Sequence, residues 1–395
     1  MNSKPSVVGA GIISSIGTSW VESYHALRSA QSGIGPLSVL NSVNTNKFQV
    51  GEVKLSNEEL AYRVGSKTSI PRTALLGIHA AKEAYLHSGI RNINYWRVGI
   101  VSSTTGGGMD KSEQFYPAFM EDISKGRLRD IVNHTHGSST EIIAEALGIK
   151  DFISTINISG SSSSIIYAAR LIKHNKLDVV FAGGTDALTN FALNGYAALK
   201  VLDQNPCRPF DMQRNGLNLG EGAAYVVLVS DRVLEEEGIV PLANLAGYAS
   251  IRSDADCTSL SLETNYCFTA MRDALKIANL NKHDVNYINL HGEGSIINDF
   301  YEGDAVNNLF SESNIRLSST KSFTGHTQGA CCSVEAIISL MSLKHECIFP
   351  NLRCVQPIPE IGTTLQQKFV EEKVNNVMVN GISLDGNYSS IIFSK

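Results

Sequence analysis

Apolar residues recur at Ile165, Ala168, Ala169 and Ile172, the spacing of one buried helix face, directly after a β-leaning run from Phe152 to Ile158 and a corner of serines and glycine. The pattern predicts strand, sharp turn and helix, and the rest of the chain is organised around that elbow, at about 158–164. Its backbone N–H groups and the positive end of the helix dipole converge on whatever sits at the corner, which suits a nucleophile or an oxyanion. Serines also cap ordinary core helices, so the elbow alone leaves both readings open.

Similar units flank it. A strand enters a glycine turn between Ser6 and Gly17, and a strongly periodic helix spans Arg72 to Ser88, with Gly89 as its C′ residue. A strand over Val98–Ser102 runs into Thr104-Thr-Gly-Gly-Gly108, and a buried strand over Asp178–Asp186 leaves through glycines. A helix-breaking segment, Cys207–Gly216, precedes a strand over Tyr225–Val229. Beyond a charged link at Glu235–Pro241 the pattern begins again: strand Leu242–Ser250, helix Asn265–Ala278, strand Val285–Leu290, a helix from Asn298, a helix from Gly329 to His345, and closing strands Val377–Ser383 and Ser390–Phe393. Alternating units of this kind predict two α/β halves, residues 1–240 and 241–395, each with a mostly parallel sheet covered by helices. At 395 residues the chain exceeds the roughly 250–300 at which a single core stops growing.

Composition narrows the chemistry. A formal charge of −5 with scattered Lys and Arg offers no basic stripe for nucleic acid and no polybasic membrane anchor. Partners are then small substrates or acid-tolerant protein surfaces. Seven cysteines, irregularly spaced and without a CxxC pair, fit neither a disulfide framework nor a zinc site, so no metal is expected and a reducing cytoplasm is the simplest compartment. Val7–Ile13 is short and glycine-interrupted, which argues against a signal peptide, and no run reaches the roughly 18 apolar residues of a spanning helix. Two glycine-rich turns imitate nucleotide loops without completing them. Val7-Val-Gly-Ala-Gly lacks a third glycine and a well-placed acidic partner, and Thr104–Gly108 lacks the Lys-Ser/Thr of a phosphate loop. No cofactor is expected.

Two histidines fall where open α/β sheets keep their sites, at the carboxyl ends of strands. His291 follows Val285–Leu290 within His-Gly-Glu-Gly-Ser295, and His326 follows Lys321-Ser-Phe-Thr-Gly325 ahead of a helix. Paired imidazoles in such a place can donate N–H groups to a developing enolate or oxyanion, and a nearby cation keeps them neutral. Taken in order, Val7-Val-Gly-Ala-Gly-Ile, the serine elbow, Ala182-Gly-Gly-Thr-Asp, Arg208-Pro-Phe-Asp with Gly220-Glu-Gly-Ala, His291-Gly-Glu-Gly-Ser with Asn298-Asp, and Ser319–Ala330 resemble a β-ketoacyl-[acyl carrier protein] synthase of the thiolase fold. The resemblance spans nearly the whole chain. It implies two pseudo-repeated halves in a five-layer αβαβα body and an obligate dimer. It also implies an elbow cysteine that carries an acyl thioester, and two histidines that promote decarboxylation of a malonyl thioester. His291, His326 and Lys321 match the family's His, His and Lys.

Two positions depart from the family pattern. Where it has Thr-Ala-Cys, this chain has no cysteine: aligning the serines puts Ser159 or Gly160 there, and counting back from Ala168-Ala-Arg gives Ile158. The family's Gly-Phe-Gly-Gly-Thr-Asn loop reads Ser383-Leu-Asp-Gly-Asn-Tyr388, with Leu384 at the acyl-pocket gate and Asp385 in place of a glycine. A carboxylate beside an oxyanion hole opposes the charge to be stabilised. Without the cysteine the chain resembles the chain-length-factor subunits of type II polyketide systems, and in keeping both histidines while lacking the glutamine common in aromatic-polyketide partners it is similar to the aryl-polyene type. The resemblance implies a subunit that pairs with a Cys-bearing ketosynthase, meets an acyl carrier protein and shapes the acyl tunnel. The alternatives are an active 3-oxoacyl synthase, a malonyl-carrier decarboxylase using His291 and His326, and a serine acyltransferase using Ser159. In the thiolase fold the strand feeding the elbow pairs across the dimer, so Phe152, Ser154, Ile156 and Ile158 are expected at the interface. Arg208, Asp211 and Glu221 are expected to brace the core through buried ion pairs, and the cysteines to pack as small apolar residues. Asp254 and Cys257 are placed in a loop bordering the pocket.

Overall fold

A computed structural model describes residues 4–157, 162–253, 265–363 and 365–395. Ten strands form the main sheet: β1 Ser6–Ser14, β2 Val98–Ser103, β3 Phe152–Ile156, β4 Val179–Asp186, β5 Gly222–Val229, β6 Ala243–Arg252, β7 Tyr287–Asn289, β8 Arg316–Ser318, β9 Asn376–Ile382 and β10 Asn387–Ser394. Five helices matter for the site: α1 Arg72–Ser88, α2 Ser163–Lys173, α3 Tyr266–Ala278, α4 Ile296–Phe310 and α5 Cys331–His345. Among the described residues no helix is long and apolar enough to cross a membrane.

The strand order is β8-β7-β9-β10-β6-β1-β5-β4-β2-β3. Each half repeats one scheme. Its first strand lies innermost, followed outward by its fifth, fourth, second and third. In both halves the two inner pairings are antiparallel (β1/β5 and β5/β4; β6/β10 and β10/β9) and the two outer ones parallel (β4/β2 and β2/β3; β9/β7 and β7/β8). Within the main sheet the described strands of the two halves join where Ser6 and Val7 pair with Asn244 and Ala243.

The expectation of mostly parallel halves is corrected by this pattern. Strands β9 and β10 are joined by a tight turn at Ser383–Gly386, a connection open only to antiparallel neighbours. Strand β8, three residues long, gives no period to read in sequence.

Side-chain alternation sets the layers. Along β5, Ala224, Val226 and Leu228 face a core shared with α2 and α5, whereas Tyr225, Val227 and Val229 face the core beneath α1. Along β10, Ile391 and Phe393 face the shared core, and Ile392 faces the third core beside α3 and α4. The stack is therefore helices, sheet, the α2/α5 pair, sheet, helices. Helix α5 is buried at every residue from Cys331 to Leu343, as a helix between two sheets must be.

The glycines of β1 serve packing, not phosphate binding. A Cβ at Gly11 would lie 2.1 Å from the Ala80 carbonyl oxygen of α1. Helix α1 ends where its pattern predicts, at Gly89 with φ 70°. Gly11→Ala should therefore push α1 off the sheet and destabilise the chain by about 1–3 kcal/mol, the usual cost of overpacking. Thermal unfolding checks this against Gly35→Ala, where an added methyl meets nothing within 4 Å and Tm should stay unchanged.

Candidate active site

The two histidine loops leave neighbouring parallel strands. His291 lies two residues beyond β7, and Lys321 opens a short helix, Lys321–Thr324, that follows β8 and leads through Gly325 to His326. Helix α4 holds the first loop with two carboxylates at i and i+3, on one helix face. Glu302 accepts from the backbone N–H groups of His291 and Gly292, each at 2.8 Å. Asp299 Oδ1 accepts from those of Glu293 at 3.0 Å and Gly294 at 3.1 Å, while its Oδ2 accepts from Phe210 N–H at 2.7 Å. Gly292 and Gly294 take φ of 27° and 89°, so the residue between them turns its side chain inward.

Lys321 sets the state of the first imidazole. Its buried Nζ donates to the His291 carbonyl at 2.7 Å, lies 3.2 Å from His291 Nδ1 and pairs with the carboxylate of Glu335 on α5. An ammonium has only donors, so His291 Nδ1 accepts and the proton of the neutral ring sits on Nε2. His326 reaches the same tautomer independently, because its Nδ1 accepts from the Gln328 backbone N–H at 3.1 Å. Burial and the Lys321 charge both lower the His291 pKa, which keeps that ring neutral at neutral pH. The ring centroids stand 5.6 Å apart at 76°.

Between the two Nε2 atoms lies Glu293, a residue that pattern reading passed over inside its own motif. Its Oε2 is 3.4 Å from His291 Nε2 and 3.7 Å from His326 Nε2, ion-pair distances longer than hydrogen bonds. Its Oε1 accepts from Asn298 Nδ2 at 2.7 Å. Burial would raise the Glu293 carboxyl, but the His291 and His326 rings hold it well below the ordinary carboxylate range.

Among the described residues, two groups have ligand atoms within 4.8 Å of one another: His291, Cys331, Cys332 and Glu335, and His291, Glu293 and His326. In the first the cation is the chain's own ammonium, and in the second both Nδ1 lone pairs are already engaged while the Nε2–H groups face the Glu293 carboxylate. Cys331 does more than pack: burial would raise its thiol, but Cys332, His326 and Lys321 draw it well below the usual range. The other described cysteines are buried and unbridged.

The start of α2, in the first half, meets the second half at β10. Ile158, Ser159, Gly160 and Ser161 lie outside the described residues, as do Asp254 and Cys257. The next residue, Ser162, is buried at the start of α2, and its N–H donates to Ser389 Oγ of β10 at 3.0 Å. Leu384 and Asp385 sit on the β9–β10 turn, exposed, and the Asp385 carboxylate accepts from Ser383 Oγ within that turn. Phe152, Ser154 and Ile156 lie on β3, which ends the sheet and pairs only with β2 among the described strands.

A second tie crosses the halves. Buried Asp186, at the end of β4, accepts from Thr104 Oγ1 at 2.7 Å, from the N–H groups of Thr105 at 2.8 Å and Gly106 at 2.9 Å, and from Gly329 N–H at 2.7 Å ahead of α5. Glu221 forms the expected buried pair with Arg72 at 2.7 Å. Arg208 instead bonds Gln213, and Asp211 takes backbone N–H groups from Gln213, Val355 and Gln356.

Known proteins share this architecture. The nodulation protein E of Rhizobium leguminosarum bv. trifolii is 28% identical over 401 residues, covering 100% of this chain and 99% of that protein. The 3-oxoacyl-[acyl-carrier-protein] synthase 2 of Staphylococcus aureus strain COL is 27% identical over 417 residues, with 100% and 99% covered. Among solved structures, the ishigamide ketosynthase/chain length factor superposes with a TM-score of 0.92 at 23% identity, with 100% of each chain covered. The fold is thereby the thiolase-like fold of ketosynthases. Residues 6–233 match the N-terminal domain of beta-ketoacyl synthases and residues 242–355 the C-terminal domain. The chain belongs to the beta-ketoacyl synthase family.

Proposed function

We propose that this chain is a non-elongating, chain-length-factor-like subunit of a type II polyketide or polyene system, of the aryl-polyene type, built from halves 1–240 and 241–395. It pairs with a Cys-bearing ketosynthase, meets an acyl carrier protein and shapes the acyl tunnel of the heterodimer. The observation that carries this reading is the elbow itself: Thr155–Tyr167 holds serines and no cysteine in a chain that keeps the family's His291, His326 and Lys321. A hydroxyl is a far weaker nucleophile than a thiol at neutral pH without an adjacent base, and an oxygen ester is a poor store for transfer to a carbon acid. The likeness to a ketosynthase/chain length factor structure supports the same assignment.

The free edge of β3 supports the partner. Ile153 is 41% exposed there, and an unpaired strand edge is a template for another chain. Phe152, Ser154, Ile156 and Ile158 form the proposed pairing surface, and Leu384 with Asp385 stands at the proposed pocket gate. A second reading is favoured by the paired Nε2–H donors of His291 and His326: a malonyl-carrier decarboxylase, or an active 3-oxoacyl synthase.

The test is direct. The isolated chain should neither elongate nor release carbon dioxide from malonyl-carrier protein, and should co-elute one-to-one with a co-expressed ketosynthase. Carbon dioxide release by the isolated chain, abolished by His326→Ala, would instead establish the decarboxylase, and acyl transfer lost on Ser159→Ala alone would establish a serine nucleophile. At the interface, Ile156→Asp leaves a carboxylate unpaired in a buried strand pairing. It should weaken the complex by about 3 kcal/mol or more, ~100-fold in Kd by titration calorimetry. Ile153→Asp, exposed in the isolated chain, separates lost pairing from lost folding. A complex that survives both changes sinks this placement.

A further inference from the structure

We infer that Glu293 is a built-in occupant of the anion seat between His291 and His326, and that removing it opens that seat to an external carboxylate or thioester oxygen. The inference rests on the reading of this chain as a non-elongating subunit and deepens it. Four observations carry it. Both imidazoles are fixed as Nε2–H donors by unrelated partners, Lys321 and the Gln328 backbone, and both aim at one place. The group at that place is the chain's own carboxylate, 3% exposed, whose Oε2 lies 3.4 Å and 3.7 Å from the two donors. Glu293 is pinned from behind, by Asn298 on its Oε1 and by Asp299 on its backbone N–H, between two glycines at positive φ. The fit is incomplete, because among the described residues His291 Nε2 is a buried donor with no hydrogen-bond partner.

That combination distinguishes an occupied seat from a structural ion pair. A carboxylate evolved only to brace the histidines would close to hydrogen-bonding distance. Here the side chain enters from its own loop and stops short, so a free carboxylate can approach both donors more closely. The chemistry that the seat suits is cleavage of a malonyl thioester. The bond between the carboxylate carbon and the methylene breaks and carbon dioxide leaves. The electron pair passes onto the thioester oxygen as an enolate held by the two Nε2–H groups, and a solvent proton completes an acetyl thioester. With Glu293 in place, the donors face a fixed negative charge, which opposes both the incoming malonyl carboxylate and the enolate.

The test uses the ketosynthase complex and the isolated full chain. Glu293→Ala should bind acetate, followed by nitrogen-15 shifts of the two imidazoles, whereas wild type should not. The isolated Glu293→Ala chain should release carbon dioxide from malonyl-carrier protein at ~100–1,000-fold above the uncatalysed background at which wild type stays, the scale of a restored oxyanion donor. The gain should vanish in Glu293→Ala/His326→Ala. Glu293→Gln, equal in shape and uncharged, guards against misfolding: its imidazole shifts should move with acetate more than those of wild type. If both variants fold and pair with the ketosynthase, yet neither binds acetate and carbon dioxide release stays at the wild-type level, the occupied-seat inference is overturned and the proposed function stands. If wild type itself releases carbon dioxide, the proposed function fails.

Discussion

The buried ammonium of Lys321 is the charge on which the rest of the site depends. An unpaired ammonium in the interior is untenable, and this one is satisfied by the His291 carbonyl, His291 Nδ1 and Glu335. Those three partners tie the loop after β7, the loop after β8 and the middle helix α5 into one unit. The same contact decides where the imidazole proton sits and keeps the ring neutral. A single electrostatic requirement thus fixes both the architecture of the loops and the donor they present.

The layered fold explains why such a cluster can exist. Helix α5 is enclosed by a sheet on either side, so its first turn is delivered into the interior, where Glu335 and Cys331 meet groups from the histidine loops. Asp186 supplies the matching tie from the first half, gathering the turn after β2 and the backbone ahead of α5. Repetition of one strand scheme in the two halves brings these carboxyl ends to a common seam.

Much of this was legible in the sequence, and the exceptions share a cause. The helix periods of α1, α2 and α3 place those elements within a residue or two, and the ordered motifs single out His291, His326 and Lys321, which the fold brings side by side. Three acidic residues escaped notice: Glu293, Glu302 and Glu335. Acidic side chains in sequence look like solvated surface. Their meaning depends on backbone N–H groups and a lysine that only the fold brings to them. Strand direction escaped for a similar reason: periodicity reports which face is buried, not whether the neighbouring strand runs up or down, and β5 and β10 turned two pairings per half antiparallel. At Arg208 and Asp211 the residue types imply an ion pair, while the loop gives Arg208 the side-chain amide of Gln213 and Asp211 three backbone amides instead.

The elbow and the histidine seat can then be weighed together. A condensing site needs two things at once: a nucleophile at the start of α2 and vacant donors at the ends of β7 and β8. The elbow stretch offers serines where the first is needed. The seat holds a carboxylate where the second is needed. Loss of a nucleophile alone would leave an unoccupied pair of donors able to cleave malonyl thioesters to no purpose. A carboxylate held between those donors removes that liability without disturbing Lys321, Glu335 or the loops they anchor. On the proposed reading the two departures are therefore coupled: the second keeps a subunit that lacks the first from consuming the extender its partner requires.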